Sequence, residues 1–144
     1  IERGLTLATA ESCTGGLLGN RITNVAGSSE YYLGGIVSYS DAAKMNLLGV
    51  SQETLKKFGA VSEETAQEMA AGARRVLPSG VGVSIPGIAG PTGGTEDKPV
   101  GLVYIAVDVA GDVAVRKFVF SEDRRYNKEL SAQAALNLVR MSMG

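Results

Sequence analysis

The chain has 144 residues, 14 basic and 15 acidic side chains, 44% hydrophobic residues and 20% charged ones, which is one domain's length with an ordinary globular composition. A net charge of −1 and the lack of any run of 18 apolar residues argue against a nucleic-acid partner, which needs a basic surplus, and against a membrane span. Histidine is absent and Cys13 is the single cysteine, so a histidine-based triad, histidine-built metal sites and an internal disulfide are excluded, and a reducing cytoplasmic setting is expected.

Ile1-Glu2-Arg3-Gly4 reads as the tail of a helix stopped by Gly4, with the natural chain expected to begin upstream. Leu5 to Ala10 is a short apolar run expected to be a buried strand. Thr14-Gly15-Gly16 leads into a helical stretch carrying Leu17, Leu18, Ile22 and Val25, ended by Gly27. Gly35 to Ser40 reads as a second strand, and Asp41 as the cap of a short helix from Ala42 to Leu48, closed by Gly49. Ser51 caps the next helix, with Glu53 early and Lys56-Lys57 late, as the helix dipole favours. Ser62 caps a third, with Glu63-Glu64 early, Arg74-Arg75 late and Pro78 beyond. Gly82 to Pro86 is a third strand, followed by a loop from Gly87 to Gly101. Leu102 to Val109 and Val113 to Phe120 alternate, and Ala110-Gly111-Asp112 between them makes a hairpin. A last helix from about Asp123 to Met143 is expected to bury Leu130, Ala134, Leu138 and Met141.

Helices between the early strands imply parallel pairing with right-handed crossovers, and the late hairpin adds an antiparallel strand. The expected fold is therefore α/β, one domain spanning residues 1–144, with helices on both faces of a mixed, mostly parallel sheet.

Ligands of open α/β sheets sit beyond the carboxyl ends of the parallel strands. Three polar or glycine-rich segments fall there: Ala10-Glu11-Ser12-Cys13-Thr14-Gly15-Gly16, Tyr39-Ser40-Asp41-Ala42-Ala43-Lys44, and Gly87-Ile88-Ala89-Gly90-Pro91-Thr92-Gly93-Gly94. In the first, Gly15 and Gly16 free a helix N-terminus that could hold an anion such as phosphate, and Ser12 sits beside it; the plainer alternative is that Ser12 or Thr14 caps the helix. Neither a Walker loop nor a dinucleotide fingerprint is present. In the second, Lys44 is the natural candidate base for an activated serine once histidine is absent, provided its pKa is depressed; the alternative is a solvated lysine. Tyr39 could pack its ring while its hydroxyl faces the site, or be a half-buried core tyrosine. The third segment has five glycines between Gly87 and Gly101, whose backbone donors could cradle a phosphate or an oxyanion or simply form a surface loop. Cys13 is a nucleophile by type but fits a packed turn, Arg124-Arg125 could clamp a phosphate or face water, and Glu63-Glu64 and Glu96-Asp97 read as ordinary surface charge rather than metal ligands.

Thr9-Ala10-Glu11-Ser12-Cys13-Thr14-Gly15-Gly16 resembles the signature of the CinA C-terminal domain family. The likeness continues through Val25-Ala26-Gly27-Ser28-Ser29, Tyr39-Ser40-x-x-x-Lys44, Gly59-Ala60-Val61-Ser62, Gly87-Ile88-Ala89-Gly90-Pro91, Lys98-Pro99-Val100-Gly101 and Asp123-Arg124, in order over nearly the whole chain. The resemblance implies a three-layer α/β/α sandwich and an amidohydrolase converting nicotinamide mononucleotide and water to nicotinate mononucleotide and ammonia. It also implies Ser12 as nucleophile, Lys44 as general base and Tyr39 as an assisting group, with no metal or cofactor. Candidate substrate contacts are Glu11, Thr14, Gly15, Gly16, Gly87, Ala89, Gly90, Thr92, Gly93 and Arg124. The expected partner is the nucleotide alone, in a cytoplasmic homo-oligomer.

Three departures from the family pattern stand out. Pro86 replaces the usual Thr or Ser before Gly-Ile-Ala-Gly-Pro, removing a hydroxyl and an N–H. Glu122 stands where glycine is usual and Lys128 where a second arginine is, and lysine cannot form a bidentate phosphate clamp. Pro86 favours a second reading, a nucleotide-binding or regulatory module that keeps the fold without the chemistry. A Ser-Lys hydrolase acting on another amide is a third.

Overall fold

A computed structural model describes residues 1–144. The elements follow in the expected order: β1 Leu7–Glu11, α1 Leu17–Thr23, β2 Tyr32–Val37, α2 Asp41–Leu48, α3 Gln52–Phe58, α4 Glu63–Val76, β3 Val81–Ile85, β4 Leu102–Val109, β5 Asp112–Val119 and α5 Arg124–Ser142. They build one sheet in the order β2-β1-β3-β4-β5. β1 pairs in parallel with β2 and β3, while β4 is antiparallel to both β3 and β5. The sheet is therefore mixed, with every strand but β4 pointing the same way.

Helices cover both faces, which makes the fold a three-layer α/β/α sandwich. On one face Leu18 and Ile22 of α1 and Ala132, Ala135 and Leu138 of α5 pack against Val83, Ile85 and Ile105. On the other, Leu48 of α2 and Met69 and Ala73 of α4 pack against Ala8 and Ala10, while Ala66 and Ala70 meet Ala106. Small side chains let α4 lie close to the sheet. Gly82 completes the fit, because a Cβ there would collide with the Ala70 carbonyl. No helix is long and apolar enough to cross a membrane.

Several boundaries differ from the sequence reading for local reasons. Ile1–Gly4 form one turn, closed by the Gly4 N–H to Ile1 O at 2.9 Å, rather than a helix end. α1 stops at Thr23, Val25 is exposed, and Gly27 instead caps a short 3-10 turn at Ser28–Glu30. β2 starts three residues earlier than Gly35, because Gly34-Gly35 lie inside the strand and not in a loop. A Cβ at Gly35 would collide with the hydroxyls of Thr9 and Tyr32, which bond each other at 2.8 Å across the sheet. Ser40, not Asp41, caps α2, accepting from the Ala43 N–H at 3.1 Å. β4 is buried on both faces despite its alternating sequence, since it lies between α4 and α5; β5 at the edge carries the exposure. On α5 the buried line is Asn127, Ser131, Ala132, Ala135 and Leu138, leaving Met141 exposed and Leu130 and Ala134 only partly covered.

Candidate active site

The carboxyl ends of β1, β2 and β3 open into a cleft of about 260 Å³. Ser12 and Cys13 come from the turn after β1, and Tyr39, Asp41 and Lys44 from the segment after β2. Gly87, Ile88, Ala89, Gly90, Thr92 and Gly93 follow β3, Arg124 opens α5, and Ala60 and Val61 precede α4. A larger apolar recess of about 420 Å³ lies around Leu5, Leu7, Tyr31, Val81, Val139 and Met143. It is formed at the opposite end of the strands, away from these groups.

At the floor of the cleft, Lys44 Nζ lies 3.0 Å from Ser12 Oγ and donates to Ser38 O at 2.7 Å. The lysine reaches this point because α2, capped by Ser40, presents position 44 one turn before Leu48, whose side chain is in the core. Lys44 is 2% exposed and has no carboxylate within ion-pairing distance; the one ion pair of the chain joins Arg74 to Asp108. Burial therefore pushes the Lys44 ammonium below its ordinary value of 10.5, against the opposing pull of Asp41 nearby. A lysine that holds its proton less tightly is suited to act as a base, and Ser12 Oγ is the hydroxyl beside it.

Cys13 is packed rather than poised. Its thiol is buried, 3.8 Å from the Ile85 carbonyl oxygen, and burial pushes its pKa up to about 12. A thiol held protonated is a poor nucleophile. Tyr39 is 62% exposed, so its ring does not pack in the core as a core tyrosine would. It stands at the mouth of the cleft, where its hydroxyl accepts from Arg124 Nη2 at 2.9 Å. Arg124 Nη1 also donates to Gly90 O at 2.7 Å, tying the mouth of the cleft to the glycine loop.

That loop is fixed from α5. Asn127, missed in the sequence because an asparagine early in a helix reads as surface polarity, is 1% exposed. Its Nδ2 donates to Ala89 O at 3.1 Å and to Glu122 O at 2.9 Å, and its Oδ1 accepts from the Glu122 N–H at 3.1 Å. With the Ala89 and Gly90 carbonyls held by Asn127 and Arg124, the N–H groups of Ala89 and Gly90 are left without protein partners. The Ile88 N–H is committed to Leu102 O at 2.8 Å.

Four expected substrate contacts do not belong to the cleft. The Glu11 side chain folds under the start of α1. Its carboxylate accepts from Thr14 Oγ1 at 2.6 Å and from the N–H groups of Gly16, Leu18 and Gly19 at 3.2, 2.9 and 3.0 Å. The helix N-terminus that Gly15 and Gly16 lead into is therefore already occupied by the protein's own carboxylate, which takes up Thr14 Oγ1 and the N–H groups of Gly16, Leu18 and Gly19. Neither Ser12 nor Thr14 caps α1; Glu11 does. Beside this turn, Arg124, Arg125 and Lys128 of α5 line a second recess of about 400 Å³ with Leu17 and Glu129. Arg124 is common to both recesses. Nowhere do three His, Cys, Asp or Glu side chains converge as a metal would need.

The model of the CinA C-terminal domain matches residues 1–143. A CinA-like protein of Chloroherpeton thalassium is 56% identical over 143 residues, and one of Kosmotoga olearia is 54% identical over 142; the matches cover 96% and 99% of this chain. The chain spans about a third of the length of these relatives, 34% in each case. Among solved structures, the competence/damage inducible protein CihA of Agrobacterium tumefaciens superimposes with a TM-score of 0.95 at 41% identity, covering 97% of this chain and 86% of that one. A competence or damage-inducible protein of Enterobacter asburiae superimposes with a TM-score of 0.96 at 38% identity, covering 99% and 90%.

Proposed function

This chain belongs to the CinA C-terminal domain family, and we propose that it is an amidohydrolase that turns nicotinamide mononucleotide and water into nicotinate mononucleotide and ammonia. The substrate follows from the resemblance carried by the Glu-Ser-Cys-Thr-Gly-Gly string. The observation that carries the chemistry is the 3.0 Å approach of a buried lysine without a counter-ion to Ser12. Uncharged Lys44 takes the Ser12 proton as Oγ bonds to the carboxamide carbon. The carbonyl oxygen becomes an oxyanion, for which the partnerless N–H groups of the cleft, those of Ala89 and Gly90 among them, are available donors. Collapse expels the amide nitrogen, which takes the proton from Lys44 and leaves as ammonia. Water then attacks the acyl-enzyme with Lys44 again as base, restoring Ser12 and releasing the acid.

The basic recess of Arg124, Arg125 and Lys128 is the nearest complement to the 5′-phosphate. It replaces the α1 N-terminus in that role, since Glu11 occupies the latter. Lys128→Ala is expected to raise KM for nicotinamide mononucleotide roughly tenfold, the value of one charge-assisted contact, while leaving the riboside without phosphate unaffected. A uniform loss on both substrates would place the phosphate elsewhere.

The test of the whole reading is ammonia release from nicotinamide mononucleotide, compared with nicotinamide and simple amides and with Ser12→Ala as the blank. Turnover confined to the nucleotide is expected. Tight binding without ammonia would instead select a nucleotide-binding module, the alternative that Pro86 favours; turnover of simple amides alone would select another amidase.

A further inference from the structure

Lys44 is short of one hydrogen-bond acceptor in its charged state. An ammonium has three N–H donors, yet only Ser38 O and Ser12 Oγ stand within bonding distance of Nζ, at 2.7 and 3.0 Å. Ser38 itself is 0% exposed, and its hydroxyl has no partner anywhere in the protein. A buried hydroxyl without a partner carries a desolvation cost that a purely structural serine has no reason to bear.

The strand register says where that hydroxyl stands. Glu11 pairs with Val37 in the last rung of the β1–β2 ladder, and the Ser38 N–H donates to Glu11 O at 2.8 Å. The next rung therefore sets Ser12 beside Ser38. Ala8, Ala10 and Ile36 pack with Leu48 on the α2 side of the sheet. Alternation along both strands carries Ser12, two residues after Ala10, and Ser38, two after Ile36, to that same side. Lys44 descends onto this spot from α2, one turn before Leu48.

We propose that the Ser38 hydroxyl is the third acceptor of the Lys44 ammonium, a positioning group that rotates to receive the one N–H that neither Ser38 O nor Ser12 Oγ takes. The uncharged amine points its lone pair at Ser12 and keeps two N–H groups, one on the Ser38 carbonyl and one with no acceptor of its own. After capture the new N–H lies on Ser12 Oγ, the left-over N–H carries its share of the positive charge, and a side-chain rotation at Ser38 supplies an oxygen for it. The proton moves from Ser12 Oγ to Nζ and later to the departing nitrogen; Ser38 exchanges none.

The inference rests on Lys44 acting as the base, so its test reads the lysine and not the reaction. Lysine carrying ¹³C at Cε is titrated by NMR in the whole chain, the Lys44 signal being assigned by its loss in Lys44→Met. Ser38→Ala is expected to lower the Lys44 midpoint by about one pH unit, a tenfold weaker hold on the proton, and Ser38→Thr, which keeps the hydroxyl, to restore it. The charged or titrating groups around Nζ are Asp41 on α2, Cys13 after β1, and Tyr39 and Arg124 across the cleft. On α4, Glu68 and Arg75 are held at the Ser51 N–H and the Leu48 carbonyl. None of these is altered by either variant. An unmoved midpoint in Ser38→Ala, or an equal fall in Ser38→Thr, overturns the proposal. A shifted midpoint in a chain that releases no ammonia would instead retain the Ser38–Lys44 link and remove the amidase reading.

Discussion

Replacing Lys44 by methionine is expected to reduce ammonia release by about 10²–10⁴-fold, the usual contribution of a general base, while leaving the chain as stable as before or more so. Most substitutions of a catalytic lysine would be judged by activity alone; here the two readouts should move apart. Lys44 lies buried without a carboxylate, so a proton is held there at a cost to the fold that the unfolded chain does not bear. Methionine is unbranched, of comparable length, and fills the same channel without a charge or a donor to satisfy. The pH dependence gives a third readout. The folded-state pKa of Lys44 lies below its ordinary value of 10.5, so between the two values the unfolded chain binds the proton that the native chain has released. Stability must therefore rise with pH across that window. Below the folded value the penalty is present in full, and above 10.5 it vanishes. In Lys44→Met that rise should flatten when denaturant midpoints are compared across the window. Loss of stability at neutral pH comparable to the loss of a core side chain would mean that the ammonium is matched by a partner and that Lys44 is structural.

The site was legible where chemistry forced a choice and illegible where packing made it. The absence of histidine made Lys44 a candidate base beside the alternative of a solvated lysine, and it was the resemblance of the Glu-Ser-Cys-Thr-Gly-Gly and Tyr-Ser-x-x-x-Lys strings that implied Ser12 and Lys44 as a pair; the structure sets the two 3.0 Å apart. The order of elements was legible too, since Ser51, Ser62 and Gly49 punctuate helices through local bonds that depend on neighbours in sequence. The start of the second strand was not legible at Gly35, because the strand begins at Tyr32 and keeps Gly35 empty for the Thr9–Tyr32 contact, a requirement set by the neighbouring strand β1. Tyr39 was half legible: its hydroxyl faces the cleft, where Arg124, 85 residues away, donates to it, but its ring is exposed instead of packed. Ser38 and Asn127 gave no signal at all. Their polarity is ordinary, and only the tertiary fold shows that one is an orphan and the other a clamp on Ala89.

Glu11 is where local reading and tertiary structure disagree most, and its substitution should show which is right. Glu11→Gln is expected to destabilise the chain by about 2–4 kcal/mol, in the range for breaking buried charged hydrogen bonds. The carboxylate receives four donors on its two oxygens, and Glu11 is 2% exposed. A glutamine has the same shape, but its amide nitrogen must face either Gly19 N–H or the cluster of Thr14, Gly16 and Leu18, donor against donor. Neither orientation satisfies both sets, so α1 loses its cap and the turn that carries Ser12 loses its anchor. Thr14→Val removes a single donor and leaves three, and should cost about 1 kcal/mol. If the α1 N-terminus were instead a seat for the substrate's phosphate, Glu11→Gln would remove a repelling charge. It would tighten nucleotide binding and leave the denaturation midpoint where it was. The two outcomes have opposite signs on different instruments, and chemical denaturation beside a nucleotide titration separates them in one variant.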